Sequence, residues 1–332
     1  MGKIKFLLLA LAVALVSPVL FFGAKFISAA RNIYKFENPT PANLALQFKK
    51  LVLQDEVMLK TDAVGRTNIL LLGIAGPDSG NGGENLTDTI VILSISSDKK
   101  RITVGSVPRD LYLQSADGRR AGRINSIYAV YGKNDPKEGT TELQNEIKNI
   151  TGFEANYYLL LDFEGFKKII DQVGGIDYTL EEDICDPMFP NYNFGYEPLF
   201  LKAGNYHLDG ELALKIARSR HTIKGDFSRI GRQHEIIKLL KEKLQEKNIW
   251  GNFFVVNNIL NLLGKNIKTD ITLLEILELS KVARNIGSNS IMSKVPSNNP
   301  STGLLTEAKI NEADVLLPKD PSFEELRKFY QE

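Results

Sequence analysis

The chain is poor in the residues that staple or cage small folds. Its 332 residues include one cysteine, Cys185, so no disulfide can close within it and no cysteine cluster can hold a metal or an iron–sulfur centre. Three histidines, His207, His221 and His234, make neither a HExxH site nor a His-rich zinc cage. An excess of one charge is also missing. Lys and Arg total 41 against 40 Asp and Glu, a formal net charge of +1. A general nucleic-acid binder would carry a strongly basic face, so that class is disfavoured. The hydrophobic share of 43% and charged share of 24% are ordinary for globular proteins and exclude wholesale disorder. The chain has no internal repeat. Its length allows two compact units, or one larger domain with an appendage.

Acids are absent from the start of the chain, where the first is Glu37. Phe6 to Ala24 is an almost unbroken apolar run, interrupted mildly by Ser17, Pro18 and Gly23, with Lys3 and Lys5 before it and Lys25 and Arg31 after it. At about 1.5 Å per residue such a helix spans roughly the hydrocarbon thickness of a bilayer. A cleaved signal peptide is the alternative, with Ser28-Ala29-Ala30 as its cleavage site. The run is long for a signal sequence, so residues 1–31 are expected to be a short cytoplasmic N-terminus and one retained transmembrane helix. That places the C-terminal body outside the cytoplasm.

Residues 32–66 read as an extracytoplasmic connector, broken at Pro39-Thr40-Pro41. From Thr67 strands and helices alternate. Asn68–Ile74 is a continuous apolar run, as expected of a central strand covered on both faces. Thr89–Ile95, Ile102–Val107, Tyr157–Phe163 and Ile176–Leu180 read as further strands. Helices are expected near 124–131, 140–150, 165–173, 208–217 and 226–246. The fold class expected is α/β, a layered α-β-α arrangement with a central mixed sheet, occupying residues 67–250. Residues 251–332 are expected to be a helical C-terminal extension.

One stretch, from Ala217 to His234, carries most of the chemistry. Arg218 and Arg220 point to one side in extended backbone. Asp226 suits the N-cap of the following helix. On that helix Arg229 and Gln233 share a stripe with Ile237, Leu240 and Leu244, whereas Arg232 lies off it. A face that is polar first and apolar afterwards, beside two more arginines, suits an amphiphile with an anionic head and a greasy tail. The plain alternative is an amphipathic helix with solvated charges. Two other pieces lie at strand ends, where ligand sites of α/β sheets form: Pro108-Arg109-Asp110 and Asp88. Asp88 could bind a hard cation that neutralises a diphosphate, or it could simply hold a turn. Arg109 could equally form a surface pair with Asp110.

These pieces, in order, resemble the LytR–CpsA–Psr family of envelope proteins. The resemblance rests on Gly73-Ile74, Thr87-Asp88-Thr89-Ile90, Val107-Pro108-Arg109-Asp110, Arg123-Ile124-Asn125 with Tyr128, Asp162-Phe163-Glu164-Gly165-Phe166, Val173-Gly174-Gly175-Ile176, Leu208-Asp209-Gly210 and Ala217-Arg218-Ser219-Arg220, completed by Asp226, Arg229, Arg232 and Gln233. It implies a membrane-anchored phosphotransferase at the outer face of the membrane. The enzyme would move a glycopolymer from a polyprenyl diphosphate carrier to a peptidoglycan hydroxyl, with magnesium. By matching position, Arg109, Arg218 and Arg220 would be catalytic. Arg123, Asp226, Arg229 and Gln233 would hold the head group, and Asp88 would lie near the metal. Two positions depart from the family pattern: Ala75 stands where an aspartate is usual and Leu86 where an arginine is. Asp78, in the same glycine-rich loop, is the candidate to replace the missing carboxylate. The same residues allow two other readings, a polyprenyl-phosphate-binding envelope protein without turnover and a polyprenyl diphosphate hydrolase.

Overall fold

In the computed structural model the described residues are 57–77, 83, 85–114, 121–191, 195–219, 226–246, 258, 259 and 261–332. The expected anchor at 6–24 and the connector up to residue 56 lie outside them. Among the described residues no helix is long and apolar enough to cross a membrane.

Three strands open the body: β1 (Thr67–Ile74), β2 (Thr87–Ile95) and β3 (Ile102–Ser106). A small hairpin, β4 (Tyr112–Gln114) with β5 (Ala121–Arg123), leads through one 3-10 turn into α1 (Ile127–Tyr131) and α2 (Pro136–Thr151). Helix α2 starts where Asp135 accepts from the Lys137 amide and Pro136 takes the first helical position, and it stops at Gly152 with φ of 74°. Then come β6 (Tyr157–Asp162), α3 (Phe163–Gln172) and β7 (Ile176–Leu180). The strands β8 (Ile184–Asp186), β9 (Leu199–Leu201) and β10 (Gly204–Leu208) precede α4 (Gly210–Arg218) and the long α5 (Asp226–Glu246).

The C-terminal part is not a helical extension. It holds β11 (Ile267–Thr269), α6 (Leu273–Asn285), β12 (Ile291–Lys294), the hairpin β13 (Leu305–Ile310) and β14 (Ala313–Pro318), and α7 (Glu324–Gln331). Strands β11 and β12 are the two edges of the main sheet, whose order is β11-β6-β1-β2-β3-β12. The body therefore includes residues beyond 250. These strands escaped the sequence reading because they are short or mostly exposed, and neither condition leaves a strong alternation.

The sheet is mixed: β1 runs parallel to β6, β3 runs parallel to β12, and the other pairings are antiparallel. Helices cover both faces. On one, Leu70, Leu72, Ile90 and Ile92 pack with Ile127, Leu143, Ile147 and Tyr330 from α1, α2 and α7. On the other, Val91, Ile102 and Val104 pack with Ile237 of α5 and Val282 of α6. Helix α5 also packs on a second core through Ile236, against Ile170, Ile176 and Ile216.

Candidate functional site

The strand directions bring four chain segments to one edge of the sheet. Because β1 and β6 are parallel while β2 is antiparallel to β1, the ends at Ile74 and Asp162 lie beside the start at Thr87. Strand β3, antiparallel to β2, ends at the same edge with Ser106, followed by Arg109. Asp88 falls at the irregularity between the Gly73–Thr89 and Ile74–Thr87 pairings.

At this edge two carboxylates and two guanidiniums alternate. Nη1 of Arg109 donates to Oδ1 of Asp88 at 2.7 Å, and the Asn125 amide approaches the same oxygen at 3.5 Å. Nε of Arg109 lies 3.4 Å from Asp110 Oδ2, and Asp110 Oδ1 lies 3.4 Å from Arg123 Nη1. Arg123 also donates through Nη2 to the carbonyl of Asp314 at 2.7 Å. Thus Arg109 pairs with Asp88 as well as with its neighbour Asp110. Asn125 belongs to the network too. The reading from sequence quoted it within a motif and assigned it no role, although an amide two residues after Arg123 is the signal that marks it.

Arg218 ends α4 and lies over two rings, Phe163 at 4.5 Å and Phe189 at 5.1 Å from the ring centres. Phe163 directly follows Asp162, so this guanidinium belongs to the same edge. Helix α5 begins at Asp226, and its position is set by two side chains that grip the end of α4. Buried Arg232 donates to the carbonyls of Ile216 and Ser219, and Gln233 donates to the carbonyl of Ala217 at 3.1 Å. Gln233 is thus spent on holding α4 to α5. Arg229, 3% exposed, lies on α5 five residues before His234, and one ring nitrogen of His234 meets Oγ of Ser106 at 2.6 Å. Since Ser106 ends β3, Arg229 lies toward the edge by about 7 Å of helix rise. Asp78, Arg220 and the side chain of Asp226 lie outside the described residues.

Behind the edge the two sheet faces are buried unequally. On the α1–α2 face Leu70, Leu72, Ile92 and Leu160 are fully buried. On the α5–α6 face the central positions Leu71, Leu93, Leu159 and Leu161 are only half-buried, although they sit on three of the four inner strands. Ile237 and Leu240 of α5 and Ile276 and Leu279 of α6 are half-buried too. Of these, Leu71, Leu93 and Leu279 pack against Val91, Val104 and Tyr157 and line the apolar side of the sheet behind the arginine edge. On the α5 stripe that starts at Arg229, Ile237 packs against this face, whereas Leu240 packs on the second core.

Among the described residues no group of three acids, histidines or cysteines comes together as a metal site. Asp162 is at the edge but is used by the fold: Oδ1 accepts from the Gly165 amide at 2.8 Å and Oδ2 from the Asn266 amide at 2.9 Å. Asp88, whose Oδ1 accepts from Arg109, is the edge carboxylate that could hold a hard cation together with substrate phosphates. His234, buried between Ser106 and Ser293, has its pKa pushed down to about 4 by desolvation, so it is neutral and structural.

Comparison with known proteins places the chain in a family. Over 182 residues the chain is 34% identical to the regulatory protein MsrR of Staphylococcus aureus, a match covering 54% of this chain and 50% of that one. It is 27% identical over 271 residues to the polyisoprenyl-teichoic acid–peptidoglycan teichoic acid transferase TagU of Bacillus anthracis, covering 80% and 81%. The crystal structure of Bacillus subtilis TagV superposes with a TM-score of 0.60 at 25% identity, over 81% of this chain and 97% of that one. The chain spans about half the length of the MsrR relatives it matches. The family model described as the LytR_cpsA_psr family matches residues 27–328, so the chain belongs to the LytR_cpsA_psr family.

Proposed function

We propose that the protein is a phosphotransferase that moves a glycopolymer from a polyprenyl diphosphate carrier to a peptidoglycan hydroxyl at the outer face of the membrane. The observation that carries this reading is the pairing of an arginine edge with a sheet face of partly buried leucines behind it. The names of TagU and TagV as teichoic acid transferases support the same class.

The acceptor oxygen attacks the glycan-bearing phosphorus. A new P–O bond forms, the bridging P–O bond breaks, and polyprenyl phosphate leaves. The hydroxyl proton passes to solvent, since the released phosphate, with its second ionisation at about pH 6, is mostly dianionic at neutral pH. Arg109, Arg123, Arg218 and Arg229 bind and orient the diphosphate, with Arg220 completing the cluster. Fixed guanidiniums neutralise charge that develops on phosphoryl oxygens without reorganising during the reaction. Asp88 would help hold a magnesium ion, which would supply further charge neutralisation on the phosphoryl oxygens. The lipid tail lies between α5, α6 and the sheet. The run at 6–24 anchors the chain, keeping the site near the carrier.

Ala75 favours a second reading, a carrier-binding protein without turnover, because the usual carboxylate is missing after β1. Hydrolysis, with water in place of the sugar, would use the same residues. Full-length protein in detergent, incubated with lipid-linked glycan, magnesium and peptidoglycan strands, separates the three. Glycan covalently attached to peptidoglycan is expected. Free phosphorylated glycan as the sole product indicates the hydrolase, and unchanged donor indicates the binding protein.

A further inference from the structure

A cleft of about 210 Å³ lies beside the head-group network, on the other side of Arg123. Leu113 of β4 and Ile127 of α1 are its apolar floor, and both are buried. Val130 and Tyr131 lie three and four residues beyond Ile127, hence on the same side of the helix. Val130 is 65% exposed, which is a cost for a valine on a helix surface unless something covers it. Ser126 and the β5 backbone at Gly122 supply polar groups, and Arg123 supplies the charge. The two amino groups of Arg123 are engaged by Asp110 and the Asp314 carbonyl, while its buried Nε has no hydrogen-bond partner.

The position of the cleft says which substrate it serves. Helix α1 packs on the side of the sheet that carries Leu70 and Leu72, whereas the partly buried Leu71 and Leu93 lie on the opposite side. In-line displacement requires the attacking and leaving oxygens on opposite sides of phosphorus. Taking the transferase reading as given, polyprenyl phosphate departs toward α5 and α6. The nucleophile must then come from the α1 side. We infer that the cleft of Leu113, Arg123, Ile127, Val130 and Tyr131 is the acceptor subsite. It would seat one amino-sugar ring of the glycan strand with its apolar face on Val130 and Tyr131 and an acidic substituent toward Arg123.

Two measurements on full-length protein in detergent test this. In the transfer assay, Val130→Asp, on the exposed lip, and Tyr131→Ala each raise the acceptor KM about tenfold or more with little change in donor KM, the signature of lost acceptor binding. An acceptor KM within about twofold of wild type in both variants overturns the subsite and leaves the transferase reading standing. Methyl NMR with soluble peptidoglycan glycan fragments needs no turnover. Shifts confined to Ile127, Val130 and Leu113 support the subsite even in a protein that fails to transfer. Saturating fragment with no shift at those methyls overturns it.

Discussion

Arginines of this protein fall into two kinds, and the sequence distinguishes them only in part. Arg218 rests on two aromatic faces and carries its charge to the edge of the sheet. Arg232 lies off the helix stripe, directly before Gln233, and is buried, gripping the Ile216 and Ser219 carbonyls. Arg218→Ala should therefore cut transfer to about a hundredth or less with the melting temperature nearly unchanged. Arg218→Lys should rescue little, because an ammonium neither stacks flat nor forks onto phosphate. Arg232→Ala should do the reverse, lowering unfolding free energy by about 2–4 kcal/mol by leaving two buried carbonyls unpaired. Turnover together with urea denaturation checks all three; equal stability loss in the Arg218 and Arg232 variants would refute the division. His234 adds a pH dependence. Its pKa is depressed in the folded state, from an ordinary 6.5 to about 4, by burial. The unfolded chain thus binds more protons between those values, so stability is full above about pH 6.5 and falls as pH drops toward 4, by at most about 3 kcal/mol. His234→Gln should flatten that slope in urea titrations between pH 6.5 and 4, and an unchanged slope would assign it to other groups.

At the scale of elements, what could be read from sequence tracks the strength of local pattern. Strand β1 is apolar on both faces and announces itself, and α5 has the expected bounds, Asp226 to Glu246. The edge strands β11 and β12, of three and four residues, could not be read, since nothing in so few residues distinguishes a strand edge from a loop. Their omission hid how the C-terminal segment holds the site. The Leu316 amide donates to the Asp110 carbonyl, Arg123 donates to the Asp314 carbonyl, and the buried Tyr330 hydroxyl donates to the Ser106 carbonyl at 2.6 Å. All three bonds land on or next to the segment from Ser106 to Arg123 that carries the guanidiniums. Gly105 makes room for the Tyr330 ring, because a Cβ there would lie 3.0 Å from it. Tyr330→Phe keeps the ring and removes one donor, leaving a buried carbonyl unpaired at a cost of about 1–3 kcal/mol. Urea denaturation should show that loss without a change in m-value, and an unchanged midpoint would mean that the hydroxyl bond adds nothing.

For the whole molecule, the partial burial of leucines on one sheet face is what supports the proposed lipid. The side chains concerned, Leu71, Leu93, Leu159 and Leu161, alternate with fully buried neighbours such as Leu70 and Leu160 along the same strands. Sequence alone could not reveal this, because a half-buried leucine and a fully buried leucine are written alike. Half-exposed leucines at the centre of a sheet forgo burial worth about 25 cal/mol per Å², a cost that a bound isoprenoid chain would remove. Full-length protein purified in mild detergent and extracted with organic solvent should therefore release polyprenyl phosphate, detected by mass spectrometry. Leu93→Trp, from the sheet, and Leu279→Trp, from α6, should each reduce the lipid recovered about tenfold or more while the protein remains folded, because added bulk on this face would leave no room for the chain. Wild-type yields from both variants would place the lipid elsewhere and separate the arginine edge from the sheet face behind it.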